Sequence, residues 1–264
     1  MTITVFTSNQ PRHIALIESL AAIADEVLAV QECNTLFPGQ VADFFNKSDI
    51  FQAYFKRVMK AESVVFGLPR FSPKNVRCLV LKMGDINMLE PKILAPAFQS
   101  DMYVIFGASY IKGWICDRLI KNKALNLHVG VSPYYRGNST NFWALRDGHP
   151  ELVGTTIHLL TKGLDSGPIV RHAFPPSKAY NPFVLGMCAV RSGQEALIDL
   201  LKNRHDKLYR PVQQNRSLEI RYSRNVDFTE DVASHYLAKL PTPMLIKRAL
   251  QKRNLKEFIH PYVG

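Results

Sequence analysis

The sequence lacks a long hydrophobic run and a secretion signal. No apolar stretch in its 264 residues approaches the roughly 20 residues that a helix needs to cross a bilayer. The first residues, MTITVFTSNQPRH, lack the charged start and the apolar stretch of a signal peptide. We therefore expect a cytoplasmic protein that does not contact a membrane.

Cysteine is scarce, and its pattern matches no metal or disulfide motif. The four cysteines, at positions 33, 78, 116 and 188, lie far apart and form no C-x-x-C pair. Structural zinc sites and disulfide frameworks use closer or more numerous cysteines. We predict no metal site, and thiols that remain free.

Basic residues are in excess over acidic ones, and the formal net charge is +11. A basic surface attracts polyanions such as RNA, and also small phosphorylated substrates, and the charge alone does not choose between them. The hydrophobic fraction of 47% is enough for one large domain and a smaller appendage. We expect a main domain over residues 1–200 and an extension over residues 201–264.

The order of predicted elements indicates an α/β fold. The sequence begins with the strand ITVFTS, the helix HIALIESLAAIA and the strand EVLAVQEC, an order typical of a parallel sheet. Further buried strands are predicted at DMYVIFGAS and ALNLHVGVS. We predict a Rossmann-like, mostly parallel sheet flanked by helices, with a small, mixed and mainly helical C-terminal extension.

Three polar residues form the candidate site. Asn126 and His128 are two apart in a strand, so their side chains share one face near the end where α/β sheets bind ligands. Asp165 lies in the turn KGLDSG, whose glycines allow close packing. If the preceding strand GTTIHLL neighbours the strand 125–131, Asp165 approaches His128 and raises its basicity. Each residue alone is more often structural, so their spacing carries the prediction.

Two longer segments contain these residues. NLHVGVSPYYRG resembles an N-x-H motif followed by a P-x-x-R-G loop, and VGTTIHLLTKGLDSGPIV resembles a G-x-T-I strand and an L-D-x-G loop. Over about residues 101–170 the chain thus resembles the N10-formyltetrahydrofolate-dependent formyltransferases. Two positions depart from that pattern, because Gly130 and Ser132 stand where the family usually has a serine and an apolar residue.

The resemblance implies an enzyme in which an amine attacks the formyl carbon of N10-formyltetrahydrofolate. It implies that Asn126 donates to the developing oxyanion and that His128 shares this role or takes a proton. Asp165 would orient His128 and relay a proton, and no metal is needed. By position, the folate pterin would lie against Phe106, Gly107 and the loop that includes Lys162, Gly163 and Leu164.

Three family branches compete for the amine substrate. The basic charge fits methionyl-tRNA formyltransferases, but the segment after about residue 200 is shorter and more helical than their second domain. Glycinamide ribonucleotide formyltransferases carry a glycine-rich loop that TSNQPRH lacks. The segments TSNQPRH, KMGDIN and YSRNVDFTEDV resemble sugar N-formyltransferases. We favour a nucleotide-linked amino-deoxysugar, of the GDP-perosamine or dTDP-linked type, in O-antigen or surface-polysaccharide synthesis.

Two groups of residues are predicted to contact that substrate. Ser8, Asn9 and Arg12 precede or begin a helix, where they would hold a pyrophosphate, with Lys82 as a further phosphate partner. The alternative for Ser8 and Asn9 is that they cap the helix.

The second group lies in the loop after the N-x-H motif. Tyr134 and Tyr135 would stack on the sugar, with a half-buried structural position as the alternative. Arg136 would contact the substrate or, alternatively, hold the loop through backbone carbonyls. A non-catalytic binding protein on the same fold also stays open, and the aromatic-rich tail favours a homodimer.

Overall fold

The computed structural model describes residues 1–33, 42–203 and 210–264. The strands in this part of the chain are β1 (Thr2–Thr7), β2 (Glu26–Cys33), β3 (Val76–Lys82), β4 (Met102–Ile105), β5 (Leu125–His128), β6 (Tyr135–Gly137), β7 (Thr155–Leu159), β8 (Ile169–Phe174), β9 (Arg221–Ser223) and β10 (Tyr262–Val263). The α-helices are α1 (Pro11–Ala21), α2 (Ala42–Phe45), α3 (Asp49–Phe66), α4 (Pro91–Leu94), α5 (Gly113–Lys121), α6 (Thr140–Arg146), α7 (Pro182–Lys202), α8 (Glu230–Ala238) and α9 (Pro243–Lys252).

Eight of these strands form one sheet in the order β10-β8-β7-β5-β4-β1-β2-β3. The strands from β5 to β3 run parallel, and β7 is antiparallel to both of its neighbours, β5 and β8. Helices α1, α3 and α7 pack together on one face. The predicted Rossmann-like, mostly parallel sheet is confirmed. The pairing of β7 with β5 also confirms the expected neighbour of the 125–131 strand.

The first strand–helix unit follows from its sequence. β1 and β2 are buried runs of apolar and β-branched residues, which favour the centre of a parallel sheet. α1 begins at Pro11, whose fixed φ and missing N–H suit a first turn. Its N-cap is Gln10, whose backbone N–H donates to His13 Nδ1 over 3.3 Å. The alternative prediction that Ser8 and Asn9 cap this helix is therefore wrong, because Gln10 occupies the N-cap position.

Two strands of the C-terminal extension pair with strands of the main domain. β10 pairs with β8 at one edge of the main sheet, and β9 pairs in parallel with β6 in a separate two-stranded sheet. Residues 204–209 of the predicted extension lie outside the described part of the chain. The division at residue 200 stays a prediction. None of the described helices is long and apolar enough to cross a membrane.

Two aromatic residues of the extension, Phe228 and Tyr236, pack against the main domain. The rings of Phe228 and Tyr236 lie 4.8 and 4.7 Å from the ring of Phe142 on α6. Phe228 also lies 5.0 Å from the ring of Tyr54 on α3. These rings fill a second hydrophobic core beside the sheet. They are therefore not available to a second subunit, and the homodimer stays a prediction.

Candidate active site

A large cavity opens at the carboxyl ends of β1, β4 and β5. Its volume is about 1050 Å³, at the upper end of the range for one small-molecule ligand. Its floor carries a polar cluster, defined here as Asn126, His128, His158 and Asp165. This is the position at which open α/β sheets bind their ligands.

The strand register brings the cluster together. Asn126 lies directly opposite His158 across the β5–β7 pair, and His128 lies opposite Thr156. Directly opposed residues point to the same face of a sheet. Asp165 follows β7 in a turn and has a φ of +45°, a left-handed conformation that aspartate tolerates better than most residues. Gly167 closes the turn, where a Cβ would lie only 1.7 Å from the Leu159 carbonyl oxygen.

The Asp165 carboxylate is the centre of the cluster. Its Oδ1 lies 3.3 Å from His128 Nδ1 and 3.4 Å from Asn126 Nδ2. Its Oδ2 accepts the backbone N–H of Gly137 over 3.3 Å. Asn126 Nδ2 also lies 3.0 Å from His158 Nε2. The structure thus brings the three predicted residues together and adds His158 to them.

Asp165 and His128 polarise each other. Burial alone raises the pKa of Asp165, but the charge of His128 and its hydrogen bond outweigh burial and hold that pKa far below its usual range. Burial lowers the pKa of His128, but Asp165 and the Tyr135 carbonyl together raise it above its ordinary value. His128 Nε2 lies 3.3 Å from that carbonyl. Both ring nitrogens therefore face acceptors, an arrangement that favours the imidazolium.

Two side chains brace the Asp165 turn from outside the cavity. Arg136 is buried and donates to the Leu164 and Asp165 carbonyls over 2.6 and 3.2 Å, and to Glu219 over 2.7 Å. Gln214 donates to the carbonyls of Asp165 and Gly167, each over 2.8 Å. The turn is therefore held by the loop after β5 and by the C-terminal extension together.

One part of the cavity lining, here called the donor wall after the formyl-folate donor that the resemblance implies, consists mainly of apolar side chains and backbone. It includes the predicted folate contacts at Phe106, Gly107, Gly163 and Leu164, together with Met83, Ser109, Ile111 and Leu160. Lys162 does not line the cavity, and its exposed ammonium pairs with Asp117 over 3.0 Å.

A buried carboxylate supports the donor wall from behind. Glu32, at the end of β2, is fully buried and accepts the backbone N–H groups of Gly84, Ile86 and Ser109. It also accepts the Ser109 hydroxyl over 2.9 Å. Glu32 thus joins two loops that border this side of the cavity.

A second part of the lining, here called the acceptor wall after the amine acceptor that the resemblance implies, is more polar. It comprises Arg12 at the start of α1, residues 138–142 before and within α6, and Tyr222 and Asn225 from the extension. Arg12 is half-buried and pairs with Glu62 on α3 over 2.8 Å. Among the predicted substrate residues, Arg12 is the one that the structure places on a cavity wall.

The other predicted residues near the N-terminus lie elsewhere. Ser8 is buried, and its hydroxyl donates to the Glu32 carbonyl over 2.7 Å. Asn9 does not line the cavity. Lys82 ends β3 at the far edge of the sheet, two strands from β1. This placement corrects the predicted contacts, because these side chains do not reach the cavity.

The loop residues after β5 also face away from the cavity. Tyr135 is buried with its hydroxyl 3.4 Å from Asp147, and the Tyr134 ring packs against Phe258 at 6.0 Å. Arg136 bonds the carbonyls of the Asp165 turn. The alternatives stated for these residues, packing for the tyrosines and loop support for the arginine, describe their positions in the structure.

The sequence prediction missed His158, Gln214 and Glu219. The alternating polar residues of β7, Thr156 and His158, carry a signal, but it becomes readable only once β7 is known to pair with Asn126 and His128. The departure at Gly130 also has a structural reason. A Cβ there would lie 2.4 Å from Thr140 Oγ1 and 2.6 Å from His128 Nε2, so the Thr140 hydroxyl and the His128 ring occupy the space that a side chain would need.

Within the described residues, no group of three or more His, Cys, Asp and Glu side chains is placed to hold a metal ion.

Residues 96–178 match the sequence model of the family described as formyl transferase. The stated resemblance is thereby confirmed, and the matched residues include the whole polar cluster and most of the donor wall.

Curated relatives match this chain over part of their length. The methionyl-tRNA formyltransferase of Trichodesmium erythraeum is 24% identical over 161 residues, which cover 61% of this chain and 45% of the relative. That of Finegoldia magna is 34% identical over 110 residues, covering 38% and 34%. The chain thus spans less than half the length of either relative.

Solved structures share the fold at low sequence identity. An N-formyltransferase from Helicobacter canadensis, in complex with folinic acid and dTDP-3-aminofucose, matches with a TM-score of 0.53 and 15% identity, covering 87% of this chain and 73% of that chain. A sugar N-formyltransferase from Shewanella matches with a TM-score of 0.52 and 16% identity, covering 86% and 78%. The formyltransferase PseJ from Anoxybacillus kamchatkensis, in complex with UDP-4,6-dideoxy-4-formamido-L-AltNAc and tetrahydrofolate, has a TM-score of 0.50, 17% identity, and coverages of 94% and 100%.

Proposed function

We propose that this protein transfers a formyl group from N10-formyltetrahydrofolate to the amine of a nucleotide-linked amino-deoxysugar. One observation carries the proposal: an amide, an imidazole and a carboxylate converge on the floor of one large cavity in a formyltransferase domain. A binding protein has no need of three such groups at one point, so the convergence favours catalysis over the non-catalytic alternative.

The donor wall fits a reduced folate. Phe106, Ile111 and Leu160 offer apolar surface, and the backbone at Gly107 and Gly163 lies against the same space. A flat heterocycle with polar edges binds well to such a combination of apolar side chains and backbone groups. The cavity volume of about 1050 Å³ leaves room for a second substrate beside the folate.

The reaction moves one carbon between two nitrogens. The formyl folate supplies an activated carbonyl carbon, to which the acceptor amine adds its lone pair before the bond to N10 breaks, giving a formamide and tetrahydrofolate. In this proposal Asn126 and the His128 imidazolium donate hydrogen bonds to the oxygen that gains charge. The proton that the amine loses passes through water beside Asp165 to N10 of the departing tetrahydrofolate, while the Asp165 charge holds His128 in its charged form.

The acceptor wall supports a nucleotide sugar. It offers one half-buried guanidinium, Arg12, for a phosphate and one aromatic ring, Tyr222, for a base or sugar. Neighbours of the same fold are seen with nucleotide-linked sugars. A role in O-antigen or other surface-polysaccharide synthesis follows as part of this proposal.

Methionyl-tRNA is the second candidate acceptor. The curated relatives are methionyl-tRNA formyltransferases, and the net charge of +11 suits a nucleic acid. This candidate predicts affinity for initiator tRNA that weakens steeply with added salt.

The test supplies the protein with N10-formyltetrahydrofolate and one acceptor at a time. The acceptors are GDP-perosamine, dTDP-3-amino- and dTDP-4-amino-dideoxysugars, and methionyl-initiator tRNA, and the readout is tetrahydrofolate release together with the mass of the formylated product. We expect product with one sugar nucleotide and none with the tRNA. Product with the tRNA alone would replace the sugar proposal, and no product with any amine would favour a binding protein.

A further inference from the structure

His158 is a buried member of the polar cluster to which the proposed chemistry gives no task. Its Nδ1 lies 2.8 Å from the Leu159 carbonyl oxygen. A carbonyl oxygen only accepts hydrogen bonds, so Nδ1 carries the proton in this pair. The other ring nitrogen, Nε2, is then an acceptor, and it lies 3.0 Å from Asn126 Nδ2.

This contact fixes which way the Asn126 amide faces. Of its two N–H groups, one donates to His158 Nε2 over 3.0 Å and the other points to Asp165 Oδ1 over 3.4 Å. The reversed amide would place its oxygen against the His158 lone pair and the Asp165 carboxylate. Both contacts would be repulsive, so the amide nitrogen faces the cluster.

The two bonds differ in length, and the difference matters for the proposed reaction. The bond to His158 has ordinary length, whereas the bond to Asp165 is long, and Asp165 Oδ1 is shared with His128 Nδ1 at 3.3 Å. The second N–H of Asn126 is therefore weakly held. It can exchange its long contact with Asp165 for a bond to a developing oxyanion without any rotation of the planar amide, which the first N–H keeps in place.

We propose that His158 is a positioning residue for formyl transfer, which anchors one N–H of Asn126 so that the other is presented to the oxyanion. The inference rests on the proposed function. The nearer partner of His158 Nε2 is Asn126 Nδ2 at 3.0 Å, whereas Asp165 Oδ1 lies 3.8 Å away, beyond ordinary hydrogen-bond distance. His158 also helps to lower the pKa of Asp165, so the test must separate the two effects.

The test compares two replacements of similar size. His158→Met fills the space but offers no comparable acceptor, whereas His158→Gln offers a carbonyl oxygen to the same N–H. We expect kcat to fall about 30-fold or more in the methionine variant, since a misplaced oxyanion donor costs roughly 10²–10³ when lost entirely. The glutamine variant should retain kcat within about fivefold, and the KM of both substrates should change little. Equal kcat losses in both variants, or an effect confined to KM, would overturn the proposal.

A second readout does not depend on turnover. The side-chain amide resonances of Asn126 are assigned in an ¹⁵N-correlated NMR spectrum by their absence from Asn126→Asp. We expect them to shift in His158→Met and to stay near the wild-type position in His158→Gln. Unchanged resonances in both variants would refute the anchoring. If the resonances respond while the wild-type protein formylates no amine, the proposed function fails and the contact between His158 and Asn126 stands.

Discussion

The two walls of the cavity are built in different ways. The donor wall comes from strand ends and adjoining loops of the sheet, consists largely of apolar side chains and backbone, and is supported by the buried Glu32. The acceptor wall takes polar and aromatic side chains from separate parts of the chain, including Arg12 and Tyr222. A wall of backbone keeps its shape when side chains change, whereas a wall of side chains changes with each substitution. The first suits a ligand shared across a family, and the second suits a ligand that differs between branches.

The family match follows this division in part. It covers residues 96–178, which include the floor, most of the donor wall and residues 138–142 of the acceptor wall, but neither Arg12 nor Tyr222. Substitutions in the polar cluster on the floor should therefore abolish the reaction with both substrates. Substitutions in one wall should change the KM of one substrate.

The largest losses of kcat are expected from substitutions in the polar cluster on the floor. Asn126→Ala removes one donor to the oxyanion and should lower kcat by about 10² or more. Asp165→Asn should cost at least as much, because it removes the charge that raises the pKa of His128. Circular dichroism should show both variants folded. Asn203→Ala, on the exposed end of α7, is the control with unchanged kcat, and near-normal turnover of Asn126→Ala would remove that residue from the mechanism.

Loss of the contacts that brace the Asp165 turn should give the next largest fall in kcat. Arg136→Lys keeps the charge but cannot donate to the Leu164 and Asp165 carbonyls and to Glu219 at once. We expect kcat to fall roughly tenfold, with both KM values within about threefold, because Arg136 acts on Asp165 and does not line the cavity. Steady-state kinetics with each substrate varied in turn measure this. A rise in the acceptor KM at constant kcat would instead support the predicted contact between Arg136 and the substrate.

The sequence predicted the floor far better than the walls. Asn126 and His128 share a face through the two-residue period of a strand, and Asp165 lies in a glycine-bounded turn, so local rules were sufficient. The acceptor wall depends on which distant segments meet, and no local pattern shows that Tyr222 reaches the cavity. Tyr134, Tyr135 and Arg136 were misplaced for a related reason. Their loop pairs with β9 of the extension, a contact between distant segments that no local pattern shows, and their side chains do not line the cavity.

The donor wall can be weakened alone through Glu32. Glu32→Gln replaces a carboxylate that accepts three backbone N–H groups with an amide that accepts fewer. We expect the KM for N10-formyltetrahydrofolate to rise about tenfold, since one lost charged hydrogen bond is worth roughly 1.5–3 kcal/mol, while the acceptor KM stays constant. Glu26→Gln, at the other end of the same strand, is the matched control. An equal rise in both KM values would mean that the two walls are not independent.

The acceptor wall can be probed at Tyr222. Its ring is partly exposed to the cavity, and the Arg136 guanidinium lies 5.7 Å from the ring centre. Tyr222→Ala should raise the acceptor KM about fivefold, as expected for an aromatic contact of roughly 0.5–1.5 kcal/mol, and should leave the folate KM constant. Tyr222→Phe should resemble wild type if the ring itself makes the contact. A loss in the phenylalanine variant as large as in the alanine variant would assign the role to the hydroxyl.

The smallest effect on activity is expected at His172, which lies outside both walls. Its Nε2 donates to the Ser132 carbonyl over 2.7 Å, and its Nδ1 accepts the Ile259 N–H over 3.0 Å. Burial lowers its pKa to about 4, although the bond to Ser132 opposes that change. His172→Gln keeps a donor for Ser132, so both KM values and kcat at neutral pH should stay within about twofold.

The low pKa of His172 makes the free energy of unfolding depend on pH. Between about pH 6.5 and pH 4 the unfolded chain binds a proton at His172 that the folded protein does not, so the free energy of unfolding falls as the pH falls. This single group contributes up to about 3 kcal/mol to that fall. In His172→Gln the fall over the same pH range should be smaller by that amount, as measured by urea denaturation at half-unit pH steps. Parallel curves for wild type and variant would mean that His172 takes up its proton in the folded protein as readily as in the unfolded chain.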